Sequence, residues 1–287
     1  MRVAVITMAP RVAARLVELL SSIGHEPVGL LAMPNVRRPE HFAETMSKIA
    51  AVIDVVVPHS PGRIAPLLRA LDADVAVCSG FGWRIPADAL TAPRLGIVNG
   101  HPSLLPRWRG PNPFGWTFRA DDRELGFTFH VMDVDFDTGP ILAQSSVPLS
   151  DDDSADTVFE LMTPLVARLL PDALARLESG DRGEPQHGAG THAPVFEDTY
   201  AEIDWSRTAR DVHNQVRSWF TPSVSGILGA HTTLDGERVR VTKTQLVEAE
   251  HDAEPGTILD RSDGSLLVQC GDRPLRIVAT EPVEPPR

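Results

Sequence analysis

The first half of the chain alternates short apolar runs with stretches whose apolar residues recur at helical spacing. Arg2–Thr7 (RVAVIT) has the pattern of a strand buried on both faces. Val12, Leu16, Leu19, Leu20 and Ile23 follow at helical spacing until Gly24 supplies a stop. Pro27–Met33 predicts a second strand, Glu40–Ala50 a helix, Val52–Pro58 a strand and Ile64–Ala70 a helix; Asp74–Ser79 and Leu95–Asn99 are two more short buried strands. Strands that are apolar throughout and alternate with helices specify an α/β fold, a mostly parallel Rossmann-like sheet with helices on both faces. Gly126–Asp133 and Pro140–Leu149 predict a late pair of strands. Asp151–Leu177 predicts a long helix, with Asp and Ser at its positive end.

The pattern changes near residue 180. Glu178–Pro194 is rich in Gly and Pro and has no apolar period, which marks a connection. The expected division is a first domain over 1–180, a linker over 181–199 and a second domain over 200–287. Asp204–Phe220 predicts a helix with Ser206 as its N-cap and Ala209, Val212, Val216 and Trp219 on one face. Beyond it, Asp235–Gly236 and Asp263–Gly264 mark tight turns between short strands, the pattern of a smaller OB-like β-barrel.

Composition narrows the function classes. With 287 residues and 42% hydrophobic content the chain has material for two packed domains. A formal net charge of −12 argues against a broad basic footprint for nucleic acid. No apolar run approaches the roughly 18 residues of a membrane span, so no membrane partner is expected. The N-terminus shows no secretory pattern. Cys78 and Cys270 lie far apart in apolar runs and form neither a disulfide framework nor a zinc site, the usage of reduced thiols in a cytoplasmic protein. No metal is expected, because His187 and His192 stand in the linker without a Cys or carboxylate cluster. The turn after the first strand, TMAPRVAAR, has no glycine, so the dinucleotide fingerprint is absent.

The chemistry concentrates in GIVNGHPSLLPRWRGPNPFGW, residues 96–116. Asn99 and His101 end a buried strand, where parallel sheets bind ligands. Asp137, in MDVDFDTGP, falls in the loop joining the late strands. A histidine carries protons near neutral pH, a neighbouring carboxylate orients it and favours its charged form, and a carboxamide can hold a developing oxyanion. Together they are equipment for acyl transfer without a covalent intermediate. Neither Ser103 nor Cys78 stands in a nucleophile motif such as G-x-S-x-G. The same side chains could equally cap a strand and satisfy loop backbone, and spacing alone leaves both readings open.

The run N-x-H-P-S-L-L-P-x-x-R-G at Asn99–Gly110, followed by D-x-x-x-D-T-G-P at Asp133–Pro140, resembles the folate-dependent formyltransferases. With the IDWS run at Ile203–Ser206, the layout is most similar to the methionyl-tRNA formyltransferase branch. The resemblance implies 10-formyltetrahydrofolate as formyl donor, and Asn99, His101 and Asp137 as the catalytic three. On that footing, Asn99 and a protonated His101 would stabilise the oxyanion. Asp137 would raise the His101 pKa and help take a proton from the attacking amine. The loop GFGWRIP (Gly80–Pro86) matches the family's pterin-gripping loop, which makes Phe81, Trp83 and Ile85 candidates for the folate pocket, with Leu104 and the backbone of Val134, Asp135, Phe136 and Asp137.

The acceptor is a separate question. The tRNA-formylating members carry a basic insertion after the second strand. Here Leu30–Lys48 offers Arg37 and Arg38 without an extended basic loop, and the arginines of 200–287 are offset by acids. A small-molecule primary amine, on an amino sugar nucleotide or of amino-acid or ornithine type, is therefore the expected acceptor, with tRNA disfavoured by net charge. The alternatives are methionyl-tRNA as acceptor, hydrolysis of the donor, and a folate-binding regulatory protein. The intact three residues speak against the last. Oligomeric state is not read from the sequence.

Overall fold

The structure is a computed structural model that describes residues 1–33, 46–155 and 157–283. Of the helix expected over Glu40–Ala50, residues 46–50 are helical and the remainder falls outside the described residues. Arg37 and Arg38, on which the missing basic insertion was argued, lie outside them as well.

Internal contacts divide the chain into two units. One comprises residues 1–109, 126–146 and 163–191, the other 110–125, 147–162 and 192–287. A seven-stranded sheet has the order β3-β2-β1-β4-β5-β6-β7. Its members are β1 (Arg2–Thr7), β2 (Glu26–Ala32), β3 (Val55–Val56), β4 (Val75–Ser79), β5 (Ile97–His101), β6 (Glu124–Val131) and β7 (Ile141–Pro148). The first five run parallel and β6 is antiparallel to β5. The helices are α1 (Pro10–Ser22), α2 (Ile64–Ala70), α3 (Ala87–Leu90), α4 (Pro113–Arg119), α5 (Val158–Glu178) and α6 (Ala209–Arg217).

Residues Val3 to Ile6 of β1 are fully buried, as an all-apolar strand covered on both faces must be. Ala4 and Ile6 pack with Ala76 and Cys78 of β4 and with Ile64 and Leu68 of α2, while α1 lies against β1 and β2. Two expected elements are shorter in the structure. The strand expected at Val52–Pro58 pairs with β2 only at Val55 and Val56, with Val52 and Val57 exposed, as befits an outermost strand. The helix expected from Asp151 starts at Val158. The Asp153 carboxylate accepts bonds from Ser150 N, Ser150 Oγ and Thr157 Oγ1, and such local side-chain bonds compete with the helical ladder.

The second unit holds an antiparallel, barrel-like five-stranded sheet of order β10-β11-β12-β9-β8. Its strands are β8 (Ala230–Leu234), β9 (Glu237–Leu246), β10 (Ile258–Ser262), β11 (Ser265–Gln269) and β12 (Pro274–Pro282). Both Asp-Gly pairs make the expected turns with φ positive at each residue, +54° and +83° at Asp235–Gly236 and +52° and +74° at Asp263–Gly264. Helix α6 buries Ala209, Val212 and Val216, and Trp219 just beyond it is also buried. Its N-cap is Thr208, not Ser206. Thr208 Oγ1 accepts from Asp211 N at 3.1 Å, whereas Ser206 Oγ donates to Asp204 Oδ1 at 2.6 Å.

Residues 181–191, compositionally the start of a linker, are hydrogen-bonded into the first unit, beginning with the reciprocal backbone pair of Glu184 and Ile141. Among the described residues no helix is long and apolar enough to cross a membrane.

Candidate active site

Asn99 and His101 are two apart in β5, so the strand's alternation places both side chains on one face. His130 of β6 is directly opposite Asn99 in the antiparallel register. The chain then turns back between β6 and β7 through Asp137, a left-handed residue at φ +57°, and Gly139. A Cβ at Gly139 would come 1.7 Å from the Val131 carbonyl oxygen, so only glycine lets this loop fold onto β6. Asp137 is thereby brought to Asn99 and His101.

The three expected residues meet, and His130 joins them. Asp137 Oδ1 is 3.3 Å from Asn99 Nδ2, 3.4 Å from His101 Nδ1 and 3.7 Å from His130 Nε2. His130 Nδ1 lies 3.1 Å from the Val131 carbonyl oxygen, and a carbonyl only accepts, so Nδ1 carries the proton. Nε2 is then free to accept from Asn99 Nδ2 at 3.1 Å. By the same logic His101 Nε2 donates to the Trp108 carbonyl at 2.9 Å, and its Nδ1 faces Asp137.

His101 is 4% exposed, and that burial holds its pKa below the ordinary imidazole value. Asp137 and the Trp108 carbonyl pull the other way, but by less. The lift expected from Asp137 is present and is outweighed by burial, which disfavours the charged ring. His101 Nδ1 and the Asp137 carboxylate face each other at 3.4 Å, a geometry suited to sharing or relaying a proton.

Trp108 has φ +58°, uncommon for a bulky side chain. Thr191 Oγ1 accepts from its amide at 2.8 Å and the Arg107 guanidinium lies 4.3 Å over its indole ring. Held so, its carbonyl points at His101. Gln186 grips the Asp137 loop, donating from Nε2 to the carbonyls of Asp137 at 2.9 Å and Gly139 at 2.8 Å.

Of the residues expected around a folate, Phe81 and Trp83 meet edge-on at 5.8 Å and pack on the cluster that contains buried Ile85. Val134 and Phe136 are 54% and 58% exposed. Arg84, not singled out in the sequence, joins the two loops. Its Nε donates to the Val134 carbonyl at 3.0 Å, its Nη2 donates to Asp135 Oδ1 at 3.3 Å, and its guanidinium lies 5.9 Å from the Phe136 ring centre. Leu104 packs over Gly126, where a Cβ would come 2.5 Å from Leu104 Cγ. Burial pushes the Cys78 thiol up to about 12, which excludes a thiolate nucleophile there. Among the described residues no group of three or more His, Cys, Asp or Glu could hold a metal ion.

Comparison with known proteins identifies the family. Residues 57–174 match the family model described as "Formyl transferase", and residues 197–284 the one described as "Formyl transferase, C-terminal domain". A methionyl-tRNA formyltransferase of Nitrosospira multiformis is 35% identical over 275 residues, 93% of this chain and 86% of that protein. One of Pseudomonas paraeruginosa is 33% identical over 280 residues, covering 93% and 87%. Among solved structures, HypX from Aquifex aeolicus, crystallised with tetrahydrofolic acid, shares the fold with a TM-score of 0.72 at 20% identity, over 99% of this chain and 44% of that one. An N-formyltransferase from Helicobacter canadensis, bound to folinic acid and dTDP-3-aminofucose, gives 0.71 at 14% identity, covering 98% and 100%.

These relatives overturn one expectation. Proteins named for methionyl-tRNA match both halves at 33% to 37% identity, so the small-molecule amine acceptor and the disfavouring of tRNA by net charge are withdrawn. Net charge is a sum over the whole surface, whereas a nucleic acid meets only a local part of it. The chain belongs to the formyltransferase family.

Proposed function

We propose that the protein transfers the formyl group of 10-formyltetrahydrofolate to the amine of methionyl-tRNA. The observation that carries this reading is the likeness, at about one residue in three over 93% of the chain, to relatives named for that activity.

The amine lone pair attacks the formyl carbon, the carbonyl electrons move onto oxygen, and the bond to the folate nitrogen breaks. The amine's proton must leave and the folate nitrogen must gain one. Asp137 takes the proton, aided by the neighbouring His101 Nδ1 3.4 Å away, and returns it to the departing nitrogen. Asn99 holds the oxyanion. Its two amide hydrogens point at His130 and Asp137, and the longer bond, 3.3 Å to Asp137, is the one it exchanges for the substrate oxygen. Protonating Asp137 weakens that bond, so proton uptake and oxyanion stabilisation reinforce each other. Phe81, Trp83 and Ile85 with the backbone of 134–136 take the pterin.

Binding of tRNA is expected to depend only shallowly on salt. In the second unit Arg238, Arg240, Arg261 and Arg273 are each paired with an acid, Glu202, Glu281, Asp235 and Glu248, and a paired arginine gains less from a phosphate. The deciding experiment incubates the protein with 10-formyltetrahydrofolate and charged initiator tRNA and reads the mass of the released aminoacyl group. A gain of one formyl is the expected result. Consumption of the donor with no formylated methionine would overturn the reading.

A further inference from the structure

We propose that residues 186–191 form a strap that positions both proton-handling groups, Gln186 setting Asp137 and Thr191 setting His101. This rests on the reading of His101 and Asp137 as catalytic, and neither strap side chain reaches those groups directly.

The Gln186 carboxamide uses all of its bonding positions. Besides the two donations from Nε2 to the carbonyls of Asp137 and Gly139, its Oε1 accepts from Arg109 Nε at 3.1 Å and Nη2 at 2.6 Å. The two carbonyls flank Thr138 in the turn where Asp137 is left-handed, a conformation that persists only where its surroundings impose it. Five residues on, Thr191 bonds three times to the loop after β5. Its Oγ1 accepts from Trp108 N at 2.8 Å, its carbonyl accepts from Arg109 N at 2.9 Å, and its amide donates to the Pro106 carbonyl at 3.1 Å. These bonds hold the left-handed Trp108 whose carbonyl fixes the His101 tautomer. Between the two anchors, a Cβ at Gly190 would come 2.9 Å from Arg109 Nη1 and 3.0 Å from the Pro106 carbonyl, so the strap is pressed onto the loop. Arg109 binds both anchors, which makes the two loops one assembly.

The test uses the full chain with five variants: Gln186→Ala, Gln186→Glu, Thr191→Val, and His101→Ala and Asp137→Ala as references. Turnover, KM for both substrates, thermal unfolding and the NMR titration of the His101 ring are measured. Gln186→Ala and Thr191→Val are expected to lower kcat by about 10- to 100-fold with KM unchanged, the scale of a displaced supporting contact. Gln186→Ala should also move the His101 titration to lower pH, the direction given by removing the Asp137 charge.

Gln186→Glu discriminates. It keeps an acceptor for Arg109 but turns a carboxylate on two carbonyls, so it should be no better than Gln186→Ala. Restored turnover in Gln186→Glu would reduce Gln186 to an anchor for Arg109 and overturn the proposal. So would near-normal kcat in both Gln186→Ala and Thr191→Val while the reference variants are inactive. Near-normal turnover in the references themselves would instead sink the catalytic reading beneath it. If Gln186→Ala fails to fold, Thr191→Val and the His101 titration still decide.

Discussion

Two regions of the molecule each bury a histidine, and they treat it differently. In the second unit, His213 on α6 donates from Nε2 to the Asp151 carbonyl at 2.9 Å, and its Nδ1 accepts from Thr244 Oγ1 at 2.8 Å. Burial, reinforced by Arg217, pushes its pKa down to about 4. Both nitrogens are satisfied and the ring is neutral, so nothing is left for chemistry. At the β5–β6 edge, burial lowers the His101 pKa as well, but only Nε2 is bonded to backbone, and Nδ1 lies 3.4 Å from the Asp137 carboxylate. Equal burial therefore marks opposite roles. The structural ring is bonded at both nitrogens, whereas the candidate catalytic ring turns one nitrogen to a carboxylate.

The largest effect that would sharpen this contrast is kinetic. His101→Ala or Asp137→Ala should lower kcat by about 10²–10³ with little change in melting temperature. His213→Ala should do the reverse, lowering stability and leaving the kcat of the folded fraction unchanged. Equal kinetic losses at positions 101 and 213 would erase the distinction. Next in size, Gly139→Ala drives a methyl into the Val131 carbonyl and must displace Asp137. About a tenfold or greater loss of kcat is expected, the consequence of moving a reacting group by a fraction of an ångström.

The pH dependence comes third, and its sign follows from depressed histidines. The unfolded chain takes up a proton at His213 near 6.5 and the folded protein only near 4, so stability is full above 6.5 and falls as pH drops through that window. The full difference is about 3 kcal/mol, read from urea midpoints as a function of pH, and His213→Gln should flatten the slope. His101 has the same direction of shift, which moves the acid limb of kcat/KM below the usual imidazole value. A rate that rises on acidification would favour an imidazolium and break the comparison from the other side.

What the sequence disclosed follows physical lines. Apolar strands, helical periodicity and the two Asp-Gly turns are local signals, and they delivered both sheets. The motif residues Asn99, His101 and Asp137 sit at a strand end and in a loop, where spacing left a structural reading open and the family resemblance pointed to convergence. His130 was missed because its role depends on cross-strand register, which no local pattern encodes. Gln186 and Thr191 lie in a Gly- and Pro-rich stretch without apolar period, and their function is hydrogen bonding to backbone. Burial and Asp137 shift the His101 pKa in opposite directions, and that burial outweighs the carboxylate is visible only once the ring's surroundings are known. Net charge misjudged the acceptor because a sum carries no information about place.

The smallest predicted effect tests the local rules themselves, on the helix that carries His213. The sequence points to Ser206 as the N-cap of α6, and the structure places the cap at Thr208. The geometry separates them. Thr208 has extended backbone, φ −65° and ψ 152°, and its Oγ1 takes the Asp211 amide, one of the unpaired donors of the first turn. Ser206 Oγ donates to Asp204, and its own amide also reaches Asp204 Oδ1, a bond that survives loss of the hydroxyl. Thr208→Ala is therefore expected to cost about 1 kcal/mol and Ser206→Ala a few tenths at most, measured by urea unfolding at pH 7. Neither should alter the kcat of the folded protein, since both belong to the region whose buried histidine is complete. A larger loss at Ser206 than at Thr208 would mean that α6 begins two residues earlier, as the sequence reading of Asp204–Phe220 implies.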